Sequence, residues 1–247
     1  MKTKERSGFN LMALVLLGST LFVACNNDDP AANGAVVLKM NASSPTGATI
    51  NGRTQTTTTI TDFKVSIREI EFEFDASDEH FATAPAFNED VKLKGPFVLN
   101  VLEQAAFVEE LITTVNVPNA RYEEVEFKLH KNTEAGEMYG KSMMITGTIN
   151  GTPFVFWHDT DEEFEIDFEN AETDILINGN TASLAINFQL EQLFSTVKGG
   201  LDLSSALDGN GNGIIEINPS DNDGNRDRAH ALKALLEVAA DLIDDKN

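Results

Sequence analysis

The residues best spaced for chemistry lie near the C-terminus, in Asp208-Gly209-Asn210-Gly211-Asn212-Gly213-Ile214-Ile215-Glu216. Oxygen-bearing side chains fall on alternate positions, a glycine follows at the sixth, and Ile214 offers a backbone carbonyl at the seventh. That order follows the first two-thirds of a calcium loop, in which alternate residues of a tight turn aim their oxygens inward. The spacing therefore predicts Ca²⁺ held by Asp208, Asn210, Asn212, the Ile214 carbonyl and Glu216. Position twelve is Pro219, where a bidentate glutamate belongs, so Asp221 or Asp223 must bend back as the extra ligand. The competing expectation is an Asn/Gly-rich turn leading into a helix, with Asp223 or Asn225 as N-cap and Asp227 in the first turn.

Other chemistry-bearing residues are less well arranged. His80, His130, His158 and His230 have neither zinc-site spacing nor cysteine partners, so zinc is not expected. In Trp157-His158-Asp159 the acid adjoins the histidine in sequence, and no G-x-S-x-G motif supplies a nucleophile; a strand end followed by a turn is the expectation. A glycosidase needs one carboxyl in a shielded site. Acids such as Glu163, Glu165 and Asp167 alternate with apolar residues and are expected to face water. These points favour a non-catalytic module over an enzyme. An extracellular carbohydrate-active hydrolase, with a site assembled from distant strands, is the alternative.

The single cysteine, Cys25, closes an apolar run from Phe9 to Ala24 that follows Lys2, Lys4 and Arg6. Basic start, apolar stretch and small residue before a cut site form the secretory signal pattern. The run is shorter than the ~20 residues of a spanning helix. Leu21-Phe22-Val23-Ala24-Cys25 resembles the lipobox of bacterial lipoproteins, which implies lipidation of Cys25 and membrane attachment through several acyl chains. The following Asn26-Asn27-Asp28-Asp29 looks like the acidic export signal of Bacteroidota-type lipoproteins. Its implication is an outer-membrane location facing the cell surface, with the periplasmic face as the alternative.

The whole chain carries a net charge of −22, and loss of the basic leader makes the remainder more acidic. Such a surface repels phosphate backbones, which excludes nucleic acid as a partner, and it disfavours anionic lipid headgroups. Without cysteine beyond Cys25 the domain has no internal disulfide and must rely on its core, which its length allows. Sixteen Phe against one Trp and two Tyr predict a phenylalanine-rich interior.

From Ala35 to about Leu190 the apolar residues recur with the strand period of two. Val125, Phe127 and Leu129, then Phe164, Ile166 and Phe168, then Leu184, Ile186, Phe188 and Leu190 alternate with polar or small residues. One segment changes phase: Phe63, Val65 and Ile67, then Ile70, Phe72 and Phe74. A bulge near Arg68–Glu69 or a crossing between sheets must absorb one residue. Asn51-Gly52, Asn150-Gly151 and Asn178-Gly179 are hairpin signals. Gly95-Pro96 and Val117-Pro118-Asn119 mark breaks, and Pro153 belongs at an edge or just outside a ladder. Leu102 to Ile112 reads as a short helix. Leu232, Leu235, Leu236, Ala239, Leu242 and Ile243 form a helical stripe.

Residues 1–24 are thus a signal peptide, 25–34 an acidic tether, 35–195 an antiparallel all-β sandwich, and 196–247 a Gly/Asn/Asp-rich loop with an amphipathic helix packed on it. The segments Phe63–Phe72, Gly95–Leu102 and Val117–Phe127, with Gly213–Pro219 ahead of the helix, resemble a family of uncharacterised Bacteroidota-type lipoproteins. That resemblance implies a β-sandwich and carries no catalytic residues. A binding or structural module for an unidentified protein or glycan ligand is the expected function. A calcium-assisted glycan-binding or adhesion module is a further alternative.

Overall fold

The computed structural model describes residues 33–51, 56–74, 91–167 and 175–244. Among them the strands are β1 (Asn33–Ser43), β2 (Thr49–Asn51), β3 (Thr57–Phe74), β4 (Val91–Glu103), β5 (Ala106–Phe107), β6 (Glu110–Pro118), β7 (Ala120–Leu129), β8 (Met143–Ile149), β9 (Thr152–His158), β10 (Glu163–Asp167), β11 (Ile175–Ile177), β12 (Thr181–Gln189), β13 (Ile215–Ile217) and β14 (Ala240–Asp244). The helices are α1 (Leu190–Phe194) and α2 (Arg226–Ala239). The chain is mostly β, as the period-two pattern predicts.

Two sheets form. The four-stranded sheet A has the order β14-β12-β1-β6; the ten-stranded sheet B follows the path β10-β7-β3-β8-β9-β13, with β2, β4, β5 and β11 on its flanks. Both sheets are mixed, where antiparallel sheets were expected: β1 runs parallel to β12, and β13 parallel to β9. The cause in sheet A is the Asn178-Gly179 turn, which does not close a hairpin. It carries the chain from β11 in sheet B to β12 in sheet A, where β12 lies along β1. The Asn119 amide oxygen accepts the Gly179 N–H at 2.8 Å, tying this crossing to the one between β6 and β7. Beside it, the Tyr122 hydroxyl donates to the Pro118 carbonyl at 3.0 Å.

The 18-residue β3 is the spine of sheet B. One of its edges pairs β8 and then β7, the other β2 and then β4. The phase change is met by a bulge: register slips between Ile67 and Glu69 against both β4 and β7. Ile67 and Ile70 therefore both enter the core, and Arg68 and Glu69 both turn away from it. A second slip near Tyr122 shifts β7 in the same way. Phe63 of β3 and Phe127 of β7 meet Phe188 of β12, with ring centroids 5.2 and 6.2 Å apart, so the two sheets share one core. Each such ring contributes roughly 1.5–3 kcal/mol by burial. The phenylalanine-rich interior is present: Phe63, Phe72, Phe127, Phe156 and Phe188 are fully buried.

Three local expectations are corrected. Leu102 to Ile112 is not helical; it holds the end of β4, β5 and the start of β6, turned by Gln104 and Ala105 at φ 50° and 61°. The helical stripe stops at Ala239, because Leu242 and Ile243 belong to β14, which pairs β12. Gly95-Pro96 lies inside β4 rather than ending it. Elsewhere the punctuation holds. Asn150 and Gly151, at φ 50° and 85°, turn β8 into β9. Pro153 falls just before β13 begins to pair β9. Gly52 lies outside the described residues. Residues 196–244 supply β13 and β14 to the two sheets, and β1 already begins at Asn33, within the stretch read as tether. No described helix is long and apolar enough to cross a membrane.

Candidate functional site

Cys25 lies outside the described residues. The Asp208 loop leads into β13, and its side chains turn back on their own backbone. Asp208 accepts the N–H groups of Asn212 and Gly213 at 3.0 and 2.9 Å. The Asn210 and Asn212 amide oxygens accept from Asn212 and Ile214 at 2.9 and 2.8 Å. Glu216 accepts from the side-chain amides of Asn210, Asn212 and Asn222. Asp223, buried, accepts the N–H groups of Asn210 and Glu216 at 3.0 and 2.7 Å. The loop brings the named residues together as a closed turn, and its acids are not among the described groups of three whose carboxylate oxygens converge.

Of the two expected N-caps, Asn225 holds the position and Asp223 does not. Asn225 holds the N-cap position without a side-chain cap bond, its amide bridging Leu207 and the Glu216 carbonyl. Asp221, at φ 64°, reaches the Arg226 N–H at 2.9 Å and caps α2 in its place. Asp227 does sit in the first turn.

The outer face of sheet B gathers acids that the sequence placed one strand at a time. The register sets Glu71 beside Glu126 and Glu126 beside Glu165, and likewise Glu73 beside Glu124. Like charges directly opposite each other destabilise a sheet unless something intervenes. Two lysines do: Lys92 pairs with Glu71, and Lys128 pairs with Glu163 while standing 3.4 Å from Glu69 and 3.7 Å from both Glu71 and Glu126. Glu71 is only 4% exposed, which corrects the expectation that these acids all face water. Glu163 and Glu165 are exposed as expected. Glu71, Glu73 and Glu126 bring carboxylate oxygens within 4.8 Å of one another, as do Glu124, Glu126 and Glu165, and both groups can hold a metal ion.

A hydrogen bond that the protonated Glu126 donates to Glu163, then burial, pushes the Glu126 carboxyl up to about 8; Glu163, the acceptor, is held low by that bond and by Lys128. The two acids hydrogen-bond directly. A glycosidase pair needs room between its carboxyls for the scissile bond, and this pair has none.

Histidines 72 residues apart in sequence meet where β9 ends against α2: His158 Nε2 lies 3.5 Å from His230 Nδ1. His158 is buried, which pushes its imidazole below the ordinary value, and its Nδ1 has no hydrogen-bond partner. Asp159 pairs with Lys131 at 2.7 Å and stays 3.9 Å from His158 Nδ1. β9 does end on His158, as the sequence predicts. The His158–His230 contact had no sequence signal. His80 lies outside the described residues.

A cavity of about 240 Å³ opens beside the β3 bulge, lined by Arg68, Gly95, Pro96, His130, Asn132 and Thr133. Opposite Arg68, an added Cβ on Gly95 would stand 2.5 Å from the Ile67 carbonyl oxygen, so the backbone there tolerates only glycine. His130 Nδ1 is bonded to Asp161 at 2.8 Å, and the Asn132 amide oxygen accepts the Glu134 N–H at 3.0 Å. No family model matches the chain, and neither a curated protein nor a solved structure is similar to it.

Proposed function

We propose that the chain is an exported lipoprotein held to the outer membrane by lipid on Cys25, displaying a non-catalytic β-sandwich as a binding or structural module at the cell surface. The observation that carries the reading is the place of the sole cysteine. It ends the apolar leader and stands eight residues before β1, a strand paired on both sides by β12 and β6. A pull on such an anchor loads an interior strand rather than a frayed edge. The sharing of one core by two sheets supports a sandwich of the kind found in the uncharacterised Bacteroidota-type lipoproteins. The pairing of Asp159 with Lys131 and of His158 with His230 supports a non-catalytic role.

Metabolic labelling with an alkyne fatty acid tests the anchor. The wild-type chain is expected to take up label and sediment with membranes. Cys25→Ser is expected to lose the label and leave the membrane fraction. An unlabelled wild-type chain overturns the proposal.

A calcium-assisted adhesion or glycan-binding module is the second reading. It is favoured by the way Asp208, Asn210, Asn212 and Glu216 close around one turn.

A further inference from the structure

The cavity at the β3 bulge is lined by the donor-only side chain of Arg68, in a molecule whose surface is otherwise rich in acceptors. Acids outnumber Lys and Arg by 40 to 18, and Lys39, Lys64, Lys92, Lys128, Lys131 and Lys233 all have carboxylate partners. Arg68 has no hydrogen bond or ion pair among the described residues. Its charge reaches Asp161 and Glu163 only at a distance, helping to hold both acids low. A bulge is a means of re-aiming one side chain, and the slips against β4 and β7 coincide at this residue.

The rest of the lining adds further donors. The Asn132 side-chain oxygen already accepts the Glu134 N–H, and its NH₂ group adds two donors. The Thr133 hydroxyl has no partner among the described residues. Arg68 itself offers only donors, in a planar fork that matches a carboxylate. Pro96 closes one side with an apolar surface. A neutral sugar could use the Thr133 hydroxyl and the Asn132 amide but would leave the Arg68 charge unanswered. A nucleic-acid phosphate is repelled by the whole-molecule charge.

We infer that the Arg68 cavity is a binding site for a small carboxylate, about the size of one uronic-acid unit, gripped by Arg68, Asn132 and Thr133. Its position suits display. The cavity sits by the far end of β7, whose first residue, Ala120, lies at the end where β1 enters from the anchor. Nine residue steps at ~3.3 Å separate the two by about 30 Å. The net negative charge of the molecule slows the approach of any anion, a single carboxylate least, so binding rests on the contacts inside the cavity rather than on long-range attraction.

This inference rests on reading the domain as a binding module, yet it fails separately from the anchor, because the ligand site does not involve Cys25. The test is saturation-transfer NMR on the full-length chain in detergent micelles, with glucuronate and glucose as probes. Glucuronate is expected to receive saturation and glucose to receive none. Arg68→Gln, at an exposed position, is expected to weaken glucuronate binding at least about tenfold, the weight of one lost charge-assisted bond. Thr133→Val is expected to weaken it less. No transfer to glucuronate, equal transfer to glucose, or unchanged binding in a folded Arg68→Gln chain each overturns the proposal.

Discussion

Glu126 of β7 and Glu163 of β10 are diagonal neighbours that hold one proton between them, with Lys128 against the charged partner. A carboxyl raised to about 8 keeps its proton when folded over a range where the unfolded chain has lost it. The folded state then binds more protons, so stability falls as pH rises from the ordinary carboxylate range through about 8. Glu163, held low, acts in the opposite sense and only in acid. Buried His158, pushed low, loses its contribution as pH falls from the ordinary imidazole range, so it opposes the Glu126 effect only below about pH 7 and leaves the limb above it clear. The melting temperature of the wild-type chain is expected to drop between about pH 7 and about pH 9, and Glu126→Gln is expected to flatten that drop. Equal slopes in the two chains would show that Glu126 titrates normally. None of this was legible in the sequence, where Glu126 reads as one more water-facing acid; its neighbours come from the register of three strands.

At the scale of elements, the strand period located most of the strands, and the phase change between Ile67 and Ile70 marked the place of the bulge, although a crossing between sheets reads the same in sequence. What failed depended on distant partners. Leu102 to Ile112 lacks the period-two alternation of the strands around it and reads as a short helix in isolation, but the left-handed pair Gln104–Ala105 and the pairing of β4 with β3 decide for strands. Leu242 and Ile243 continue the stripe of α2, yet the open edge of β12 takes them as β14. The loop from Asp208 to Asn225 shows the same limit. Its Asn/Gly spacing was legible, but the use of Asp223 to bind the Asn210 and Glu216 amides was not. Asp208 supports two N–H groups, so Asp208→Ala is expected to lower stability by about 1–2 kcal/mol without added metal. Isothermal titration with Ca²⁺ and a melting series decide the calcium reading. Heat and a higher melting temperature at millimolar metal, both lost in Asp208→Ala, support it; neither response in the wild-type chain removes it.

For the whole molecule the dominant fact is charge. With a net charge of −22 and most described lysines already paired, the remaining carboxylates repel one another across the domain. The screening length is ~30 Å at 0.01 M salt and ~8 Å at 0.15 M. β3 alone, at ~3.3 Å per residue, extends over roughly 55 Å. At low salt, acids on separate strands therefore act on each other through much of the fold; at physiological salt they act only on near neighbours. Salt also weakens the ion pairs, but exposed pairs contribute about 0–1 kcal/mol each, and there are too few bases for them to outweigh the excess of acids. Melting temperature is therefore expected to rise as NaCl goes from about 0.01 to about 0.15 M. A rise of the same size with choline chloride marks screening, whereas a rise confined to divalent salts marks ion binding by the Glu71–Glu73–Glu126 or Glu124–Glu126–Glu165 group. A fall with NaCl would mean that the lysine pairs, Lys128 above all, hold sheet B together more strongly than its glutamates push it apart.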